Sequence, residues 1–179
     1  KLEAAGIAVC GPRAAAAQLE GSKRFARAFC ARHDIAQPQW QYFTQTAPAC
    51  AFARSLGACV VKADGLAAGK GVIICDNADE AEQAIHSLLG GRFGAASAEI
   101  LVEERISGPE MSAFALLDGA DAIWLGSAQD NKRAYDGDKG PNTGGMGAIS
   151  PSPLETDGHR ARVMEKISWS VAQGMADKG

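Results

Sequence analysis

A glycine-rich segment at residues 137–148 is the part of the chain best suited to hold a small polar ligand. It reads GDKGPNTGGMGA, in which five of the twelve residues are glycine and only Met146 and Ala148 are apolar. Such a segment buries too little apolar surface to form a core helix or strand. Its backbone can instead approach a polar ligand closely, with amides that point at an anion. A flexible surface loop is the alternative interpretation.

A second glycine-rich segment, residues 62–72, lies between two apolar runs and reads KADGLAAGKGV. It is not a P-loop, because only three residues separate Gly65 from Gly69. In addition, Gly71 follows Lys70 at the place where a P-loop has a Ser or Thr that binds magnesium. The chain continues as a predicted strand, so no helix N-terminus would face a phosphate. The segment predicts two strands joined by a glycine-rich turn, and an ordinary hairpin is the alternative.

Two lysines lie where they could contact an anion. Lys62 follows two valines in a predicted strand, and Lys23 lies at the start of a predicted helix. A lysine ammonium is a compact charge that suits a phosphate group. Considered alone, each lysine could equally keep its charge in water at the surface. No Ser-His-Asp triad is indicated. The histidines are interpreted as structural: His33, His86 and His159.

Four segments together resemble one enzyme family. GPNTGGMGA (residues 140–148) resembles the signature loop of the glycinamide ribonucleotide synthetases, or phosphoribosylamine–glycine ligases, of the ATP-grasp superfamily. KADGLAAGKGV is similar to the family's lid loop, which folds over the triphosphate of ATP. VEERISGPE (residues 102–110) resembles the hinge beside the adenine. SAQDNKR (residues 127–133) resembles the stretch before the signature loop, with Asn131 in place of the more usual histidine.

The resemblance implies an ATP site in which lysines and backbone amides hold the phosphates. Lys62 would hold the α- and β-phosphates, and Lys23 would reach the α-phosphate from the other side. The other implied phosphate-binding positions are those of the lid loop: Gly65, Leu66, Ala67, Ala68, Gly69, Lys70 and Gly71.

The resemblance also implies how the adenosine would be held. Glu103 would accept a hydrogen bond from the exocyclic amine, while the Glu104 carbonyl and the Ile106 amide would pair with the ring edge. Main-chain groups suit a flat base because the strand fixes their geometry. Glu110 would bind the ribose hydroxyls. Arg105 departs from the aromatic or aliphatic residue usual at its position, and we expect its side chain to face away.

The implied reaction is the ATP-dependent joining of glycine to 5-phosphoribosylamine, which gives glycinamide ribonucleotide, ADP and phosphate through a glycyl phosphate. The implied catalytic residues are Lys62, Asn142, Thr143, Gly144 and Gly145. The implied substrate-binding residues are Gln129, Asp130, Lys132, Arg133, Asp138, Pro141, Asn142, Thr143, Gly144 and Met146. Mg²⁺ or Mn²⁺ would accompany ATP, with its protein ligands expected beyond Gly179 and none in this chain.

Two alternatives remain open. A different ATP-grasp carboxylate–amine ligase would share Lys62, Glu103 and Glu110 but should lack GPNTGGMGA. The other alternative is an inactive nucleotide-binding fragment, because the chain begins without Met and closes without a terminating element. We therefore expect the fragment alone to be inactive. The sequence does not predict the oligomeric state.

The composition is that of a soluble globular protein, with 46% apolar and 22% charged residues. A net charge of −3 gives no electrostatic reason to bind nucleic acid or an anionic membrane. No apolar run approaches the roughly 20 residues of a membrane span. The five cysteines are odd in number and lack CxxC spacing. This favours free thiols in a reducing cytoplasm over disulfides or a zinc site.

Helices mixed with hairpin-linked strands predict an α+β fold, which the resemblance identifies as an ATP-grasp fold that is incomplete at both ends. We expect a short buried strand at residues 7–10 and a helix at residues 14–19. Ser22 should cap a second helix, and Asn77 with Glu80 should form a capping box.

The resemblance divides the chain into four parts. Residues 1–12 would end an N-terminal Rossmann-like domain, and residues 13–40 would be a helical linker into the ATP-grasp region. Residues 41–107 would form the lid subdomain. Residues 108–179 would form an incomplete central subdomain.

Overall fold

The computed structural model describes residues 2–67, 70–119, 121–137 and 139–176, without the side chains of residues 3, 141 and 142. The α-helices are α1 (Ala14–Gly21), α2 (Lys23–Arg32), α3 (Thr46–Leu56), α4 (Ala78–Leu89), α5 (Asp157–Val163) and α6 (Trp169–Ala176). The strands are β1 (Trp40–Phe43), β2 (Cys59–Ala63), β3 (Val72–Cys75), β4 (Ile100–Glu104), β5 (Ser112–Asp118), β6 (Asp121–Asp130), β7 (Arg133–Tyr135), β8 (Lys139–Asn142) and β9 (Ala148–Ile149). Shorter helical turns are Glu3–Ala5, Gly94–Ser97 and the π-helical turn Met164–Ser168.

A four-stranded antiparallel sheet with the order β1-β4-β2-β3 lies at the centre of the N-terminal two thirds of the chain. Helices α3 and α4 cover one of its faces, and the core between them includes Val61 and Val102. Successive side chains of a strand point to opposite faces. Lys62 and Glu103 therefore lie on the other face, which α3 and α4 leave uncovered.

Helix α2 is joined to this sheet through Asp64, the residue after β2. The Ser22 hydroxyl oxygen accepts a hydrogen bond from the Phe25 amide and thus caps α2, as the sequence predicts. The Asp64 carboxylate accepts hydrogen bonds from the Arg24 amide at 2.7 Å and from the Ser22 hydroxyl. A carboxylate at a helix N-terminus also interacts favourably with the helix dipole. Asp64 thereby fixes the start of α2 next to the 62–72 segment.

The second sheet has the order β5-β6-β9, and β7 pairs separately with β8. Strands β5 and β6 form a hairpin around Asp118-Gly119. Gly119 has a φ of 59°, a left-handed conformation that glycine adopts without strain. A π-helical turn lies between the last two helices, α5 and α6.

The prediction of a strand at residues 7–10 is wrong. The described residues provide no strand that pairs with this segment, and Ile7 and Val9 are both about half exposed. A short apolar run becomes a strand only when a neighbouring strand satisfies its backbone and a layer covers its side chains. The helix expected at residues 14–19 is confirmed as α1, and Asn77 caps α4, where the Glu80 amide donates to Asn77 Oδ1 at 2.9 Å. Of the described helices, none combines the length and apolar character needed to cross a bilayer.

Candidate functional site

A cavity of about 790 Å³ lies between α2 and the sheet face that α3 and α4 leave uncovered. Its walls are formed by residues of α1, α2, β2, β3, β4 and the 62–72 segment. The lining residues are Leu19, Glu20, Lys23, Ala26, Arg27, Lys62, Leu66, Ala67, Gly71, Val72 and Glu103. Six of the predicted nucleotide-binding residues are among them: Lys23, Lys62, Leu66, Ala67, Gly71 and Glu103.

Glu103 lies at the base of the cavity, where only 2% of it is exposed. Its carboxylate accepts two hydrogen bonds from Arg27, at 3.0 Å from Nε and 2.8 Å from Nη2. Lys62 Nζ donates a third bond at 2.7 Å. Two cations from different elements, α2 and β2, therefore converge on one buried carboxylate from β4.

Burial and hydrogen bonding act in opposite directions on the pKa of Glu103. Burial raises the pKa because it disfavours the charged form. Hydrogen bonds and charge from Arg27 and Lys62 outweigh burial, so the pKa lies below its ordinary value. The carboxylate is consequently ionised at neutral pH. The site offers both an acceptor at Glu103 and cationic donors beside it.

Lys23 joins α2 to the beginning of the 62–72 segment. Its Nζ donates to the backbone oxygens of Asp64 at 3.2 Å and Gly65 at 3.3 Å. Lys23 also lines the cavity. A ligand phosphate would compete with these two carbonyl oxygens for the same donor.

Two glycines of the 62–72 segment are required for close packing. A Cβ on Gly65 would lie 2.8 Å from the Ala96 Cα, and one on Gly71 would lie 2.7 Å from the Ala67 Cβ. Both distances are shorter than real Cβ contacts. These glycines therefore have a structural reason to be present, whether or not their amides also contact a ligand. Lys70 is exposed, and Ala68 and Gly69 lie outside the described residues.

The predicted hinge residues that follow Glu103 do not line the cavity. The Glu104 amide donates to the Gln39 carbonyl at 2.8 Å, which extends the pairing of β4 with the segment before β1. Ile106 is exposed. The Glu110 side chain is 84% exposed, with its carboxylate 3.8 Å from Lys132 Nζ. Their contacts to adenine and ribose stay predictions.

The 137–148 segment folds back on the chain just before it. The Thr143 amide donates to the Lys132 carbonyl at 2.7 Å, and the Met146 amide donates to the Asn131 carbonyl at 2.7 Å. The Asn131 amide donates in return to the Gly147 carbonyl at 2.9 Å. Residues 139–142 of this segment form β8, and backbone bonds to residues 131–132 hold the loop that follows. The ligand binding expected of this segment stays a prediction.

Further contacts within this loop involve its predicted substrate-binding residues. Arg133 Nη1 donates to the Gly140 carbonyl at 2.7 Å, and the Gly145 amide donates to Thr143 Oγ1 at 3.0 Å. Gln129 and Asp130 end β6 opposite β9. Met146 is exposed, and Gly144 has open space around it. Asp138 lies outside the described residues, and the side chains of Pro141 and Asn142 are not described.

Sequence reasoning missed Arg27, which donates two of the three hydrogen bonds to Glu103. The available signal was its position four residues after Lys23 on the same helix, since residues four apart share a helix face. That spacing predicts two cations on one side of α2. Nothing in the sequence indicates that a glutamate 76 residues further on would be their partner.

Both the fold and the sequence of this chain match known proteins of one enzyme family. The crystal structure of the phosphoribosylamine–glycine ligase of Thermotoga maritima matches with a TM-score of 0.84 at 32% identity, over 94% of this chain and 43% of that one. The fold is therefore an ATP-grasp fold. The profile of the phosphoribosylglycinamide synthetase ATP-grasp (A) domain matches residues 21–179. The chain belongs to this family.

One sequence relative and one more distant solved structure show how far the similarity extends. The phosphoribosylamine–glycine ligase of Yersinia pestis is 50% identical over 178 residues, which cover 98% of this chain and 42% of that protein. The chain thus spans less than half the length of this relative. The biotin carboxylase domain of 2-oxoglutarate carboxylase from Hydrogenobacter thermophilus, solved with MgADP, ADP and bicarbonate, shares the fold at 22% identity. Its TM-score is 0.73, over 96% of this chain and 38% of that one.

Proposed function

We propose that the cavity between α2 and the four-stranded sheet binds ATP. The observation that carries the proposal is the convergence of Arg27 and Lys62 on the buried Glu103 carboxylate. An ionised carboxylate accepts hydrogen bonds and suits the exocyclic amine of adenine. The adjacent lysine ammonium suits the phosphates. The complex of the Hydrogenobacter biotin carboxylase domain with MgADP supports a nucleotide in this fold.

We further propose that the whole protein joins glycine to 5-phosphoribosylamine. The names of the Yersinia and Thermotoga relatives support this reaction. In the first step a glycine carboxylate oxygen would attack the γ-phosphorus, with ADP as the leaving group. In the second, the amine would attack the resulting acyl phosphate, release phosphate and lose a proton.

The residues of this chain would act by binding and orienting the reactants, because phosphoryl transfer depends mainly on positioning and charge neutralisation. Lys23 and Lys62 would hold the phosphates at the cavity. Thr143 and the amides of the 137–148 segment would orient glycine or 5-phosphoribosylamine. Mg²⁺ or Mn²⁺ would neutralise charge on the triphosphate. We assign no ligand of that ion to the described residues.

Two organisational points complete the proposal. Residues 41–107 would act as the lid subdomain, which is supported by a sheet confined to residues 40–104. Residues 108–179 would belong to the central subdomain, supported by a separate sheet within residues 112–149.

We also place the protein in the cytoplasm, since its five cysteines are unpaired.

The test measures ADP release by the full-length protein with glycine and 5-phosphoribosylamine, each omitted in turn. Glycine is then replaced by L-alanine, D-alanine, β-alanine and bicarbonate. We expect release that requires both glycine and 5-phosphoribosylamine. Release with another carboxylate and none with glycine would contradict the assigned reaction while leaving the nucleotide site intact. Failure of the protein to bind ATP in calorimetry would contradict both.

A further inference from the structure

A group of three potential metal ligands lies away from the cavity, on the helical side of the four-stranded sheet. It consists of Cys50 on α3 with Glu82 and His86 on α4, and we call it the α3–α4 cluster. The Cys50 Sγ, a Glu82 carboxylate oxygen and a His86 ring nitrogen all lie within 4.8 Å of one another. Among the residues that the structure describes, no other group of three such ligand atoms is this close.

Helical spacing explains why these side chains meet. Glu82 and His86 are four residues apart on α4, and Cys50 and Arg54 are four apart on α3. Residues four apart lie on the same face of a helix. Since α3 and α4 pack side by side over the sheet, the two pairs face each other across the contact between the helices.

Arg54 orients the carboxylate of the α3–α4 cluster. Its Nη2 donates to Glu82 Oε2 at 2.6 Å. The other oxygen, Oε1, lies on the side of His86, 3.8 Å from its Nε2. Ligating carboxylates in metal sites commonly have such a second hydrogen-bond partner, which fixes the direction of the free oxygen. The carboxylate is therefore already held with one oxygen free for a ligand.

We propose that Cys50, Glu82 and His86 bind one Zn²⁺ ion. Thiolate, imidazole and carboxylate are the ligands that Zn²⁺ takes, and three protein ligands leave a fourth position for water. Mg²⁺ prefers oxygen ligands alone, so the cluster is not a site for the ion that accompanies ATP. On binding, the Cys50 S–H bond is replaced by an S–Zn bond, and the proton passes to solvent.

The burial of the three ligands suits a site that is closed at its base and open to solvent. Cys50 is 4% exposed, while the side chains of Glu82 and His86 are 40% and 62% exposed. The ion can thus enter past the exposed imidazole and carboxylate and reach the buried thiol. His86, interpreted as structural from the sequence, gains a ligand role.

The experiment uses Co²⁺ as a spectroscopic substitute for Zn²⁺ in the full-length protein, with Mg²⁺ in excess to occupy oxygen-only sites. A cysteine ligand gives a thiolate-to-cobalt charge-transfer band, which carboxylates and histidines do not produce. We expect the band in the wild type, its loss in Cys50→Ser and its displacement by Zn²⁺. We expect His86→Gln to weaken Co²⁺ binding about 10-fold or more.

Matched controls separate this site from adventitious binding. Cys30→Ser removes a partly buried thiol on another helix, and His159→Gln removes an exposed imidazole. Both should keep the band and the wild-type affinity. Absence of the band from the wild type, its persistence in Cys50→Ser or its loss in Cys30→Ser would overturn the proposal. Should Cys50→Ser fail to fold, unchanged affinity in His86→Gln, which alters an exposed side chain, would overturn it equally.

Discussion

The cavity and the 137–148 segment are both predicted to hold substrate, but different interactions fix their shapes. In the cavity, charged side chains from α2, β2 and β4 meet at a carboxylate that is almost fully buried. In the 137–148 segment, backbone amides and carbonyls bond to the neighbouring residues, and most side chains are exposed. Substitutions that remove a charge should therefore damage the cavity most. Substitutions that restrict the backbone should damage the loop most.

The largest effect is expected from Lys62→Met in the full-length enzyme. Loss of a pre-positioned cationic donor should lower kcat by roughly 10²–10³-fold. Lys70→Met is the matched control, because Lys70 is exposed and its side chain does not line the cavity. Steady-state kinetics of ADP release compare the two. Equal losses at both positions would contradict the assignment of phosphate binding to Lys62 over Lys70.

Arg27→Met tests the side-chain network of the cavity through stability. Removing two hydrogen bonds from a buried carboxylate should lower the free energy of unfolding by about 1–3 kcal/mol at pH 7. Arg24→Met is the control, because the pair of Arg24 with Glu99 is exposed and worth at most about 1 kcal/mol. Urea denaturation measures both. A smaller loss in Arg27→Met than in Arg24→Met would contradict the importance of the buried network.

The pH dependence of the same variant sharpens the test. The pKa of Glu103 lies below its ordinary value of 4.5, so ionised Glu103 stabilises the fold above that value. This stabilisation is lost as the pH falls through the lowered folded-state pKa. Without Arg27, only Lys62 opposes the effect of burial, so the pKa of Glu103 should lie closer to its ordinary value and the free energy of unfolding should fall less on acidification. Equal losses of unfolding free energy on acidification in the wild type and Arg27→Met would contradict this explanation.

A smaller effect is expected from restricting the backbone of the loop. Gly140 has a φ of 85° and Gly145 a φ of 120°, conformations that side chains disfavour. A Cβ on Gly140 would also overlap the Tyr135 ring, and one on Gly145 would lie 3.0 Å from Asp130 Oδ1. Each Gly→Ala change should lower stability by about 1–2 kcal/mol and raise the KM for glycine or 5-phosphoribosylamine. Gly144→Ala, in open space, should leave stability unchanged.

The smallest effect is expected from Glu110→Ala. A lost hydrogen bond to a ribose hydroxyl should weaken ATP binding by about 1 kcal/mol, since the carboxylate is largely exposed. Calorimetry with ATP measures this change, and the KM for glycine should stay the same. Unchanged ATP affinity would remove Glu110 from the ribose site.

The sequence predicted elements with strong local signals. Ser22 and the Asn77–Glu80 pair are capping residues whose role depends on neighbours within three positions, and both act as expected. The prediction for residues 7–10 failed because a strand depends on a partner strand that is distant in sequence, and no local pattern contains that partner. The family resemblance indicated Lys62 and Glu103 as site residues, and the structure brings them together at the cavity. Arg27 and the α3–α4 cluster arise from contacts between elements far apart in sequence. The single cysteine of that cluster also leaves no CxxC spacing to find.

The alternation of faces along β2 and β4 makes these strands intolerant of insertions and deletions. Val61 and Val102 pack under the helices, while their neighbours Lys62 and Glu103 point into the cavity. Deleting one residue within β4 would shift every following side chain to the opposite face. Glu103 would then point into the apolar core, and Glu104 would take its place in the cavity. Changes in length among natural variants should therefore be confined to connections such as residues 90–99, while both strands keep a constant length.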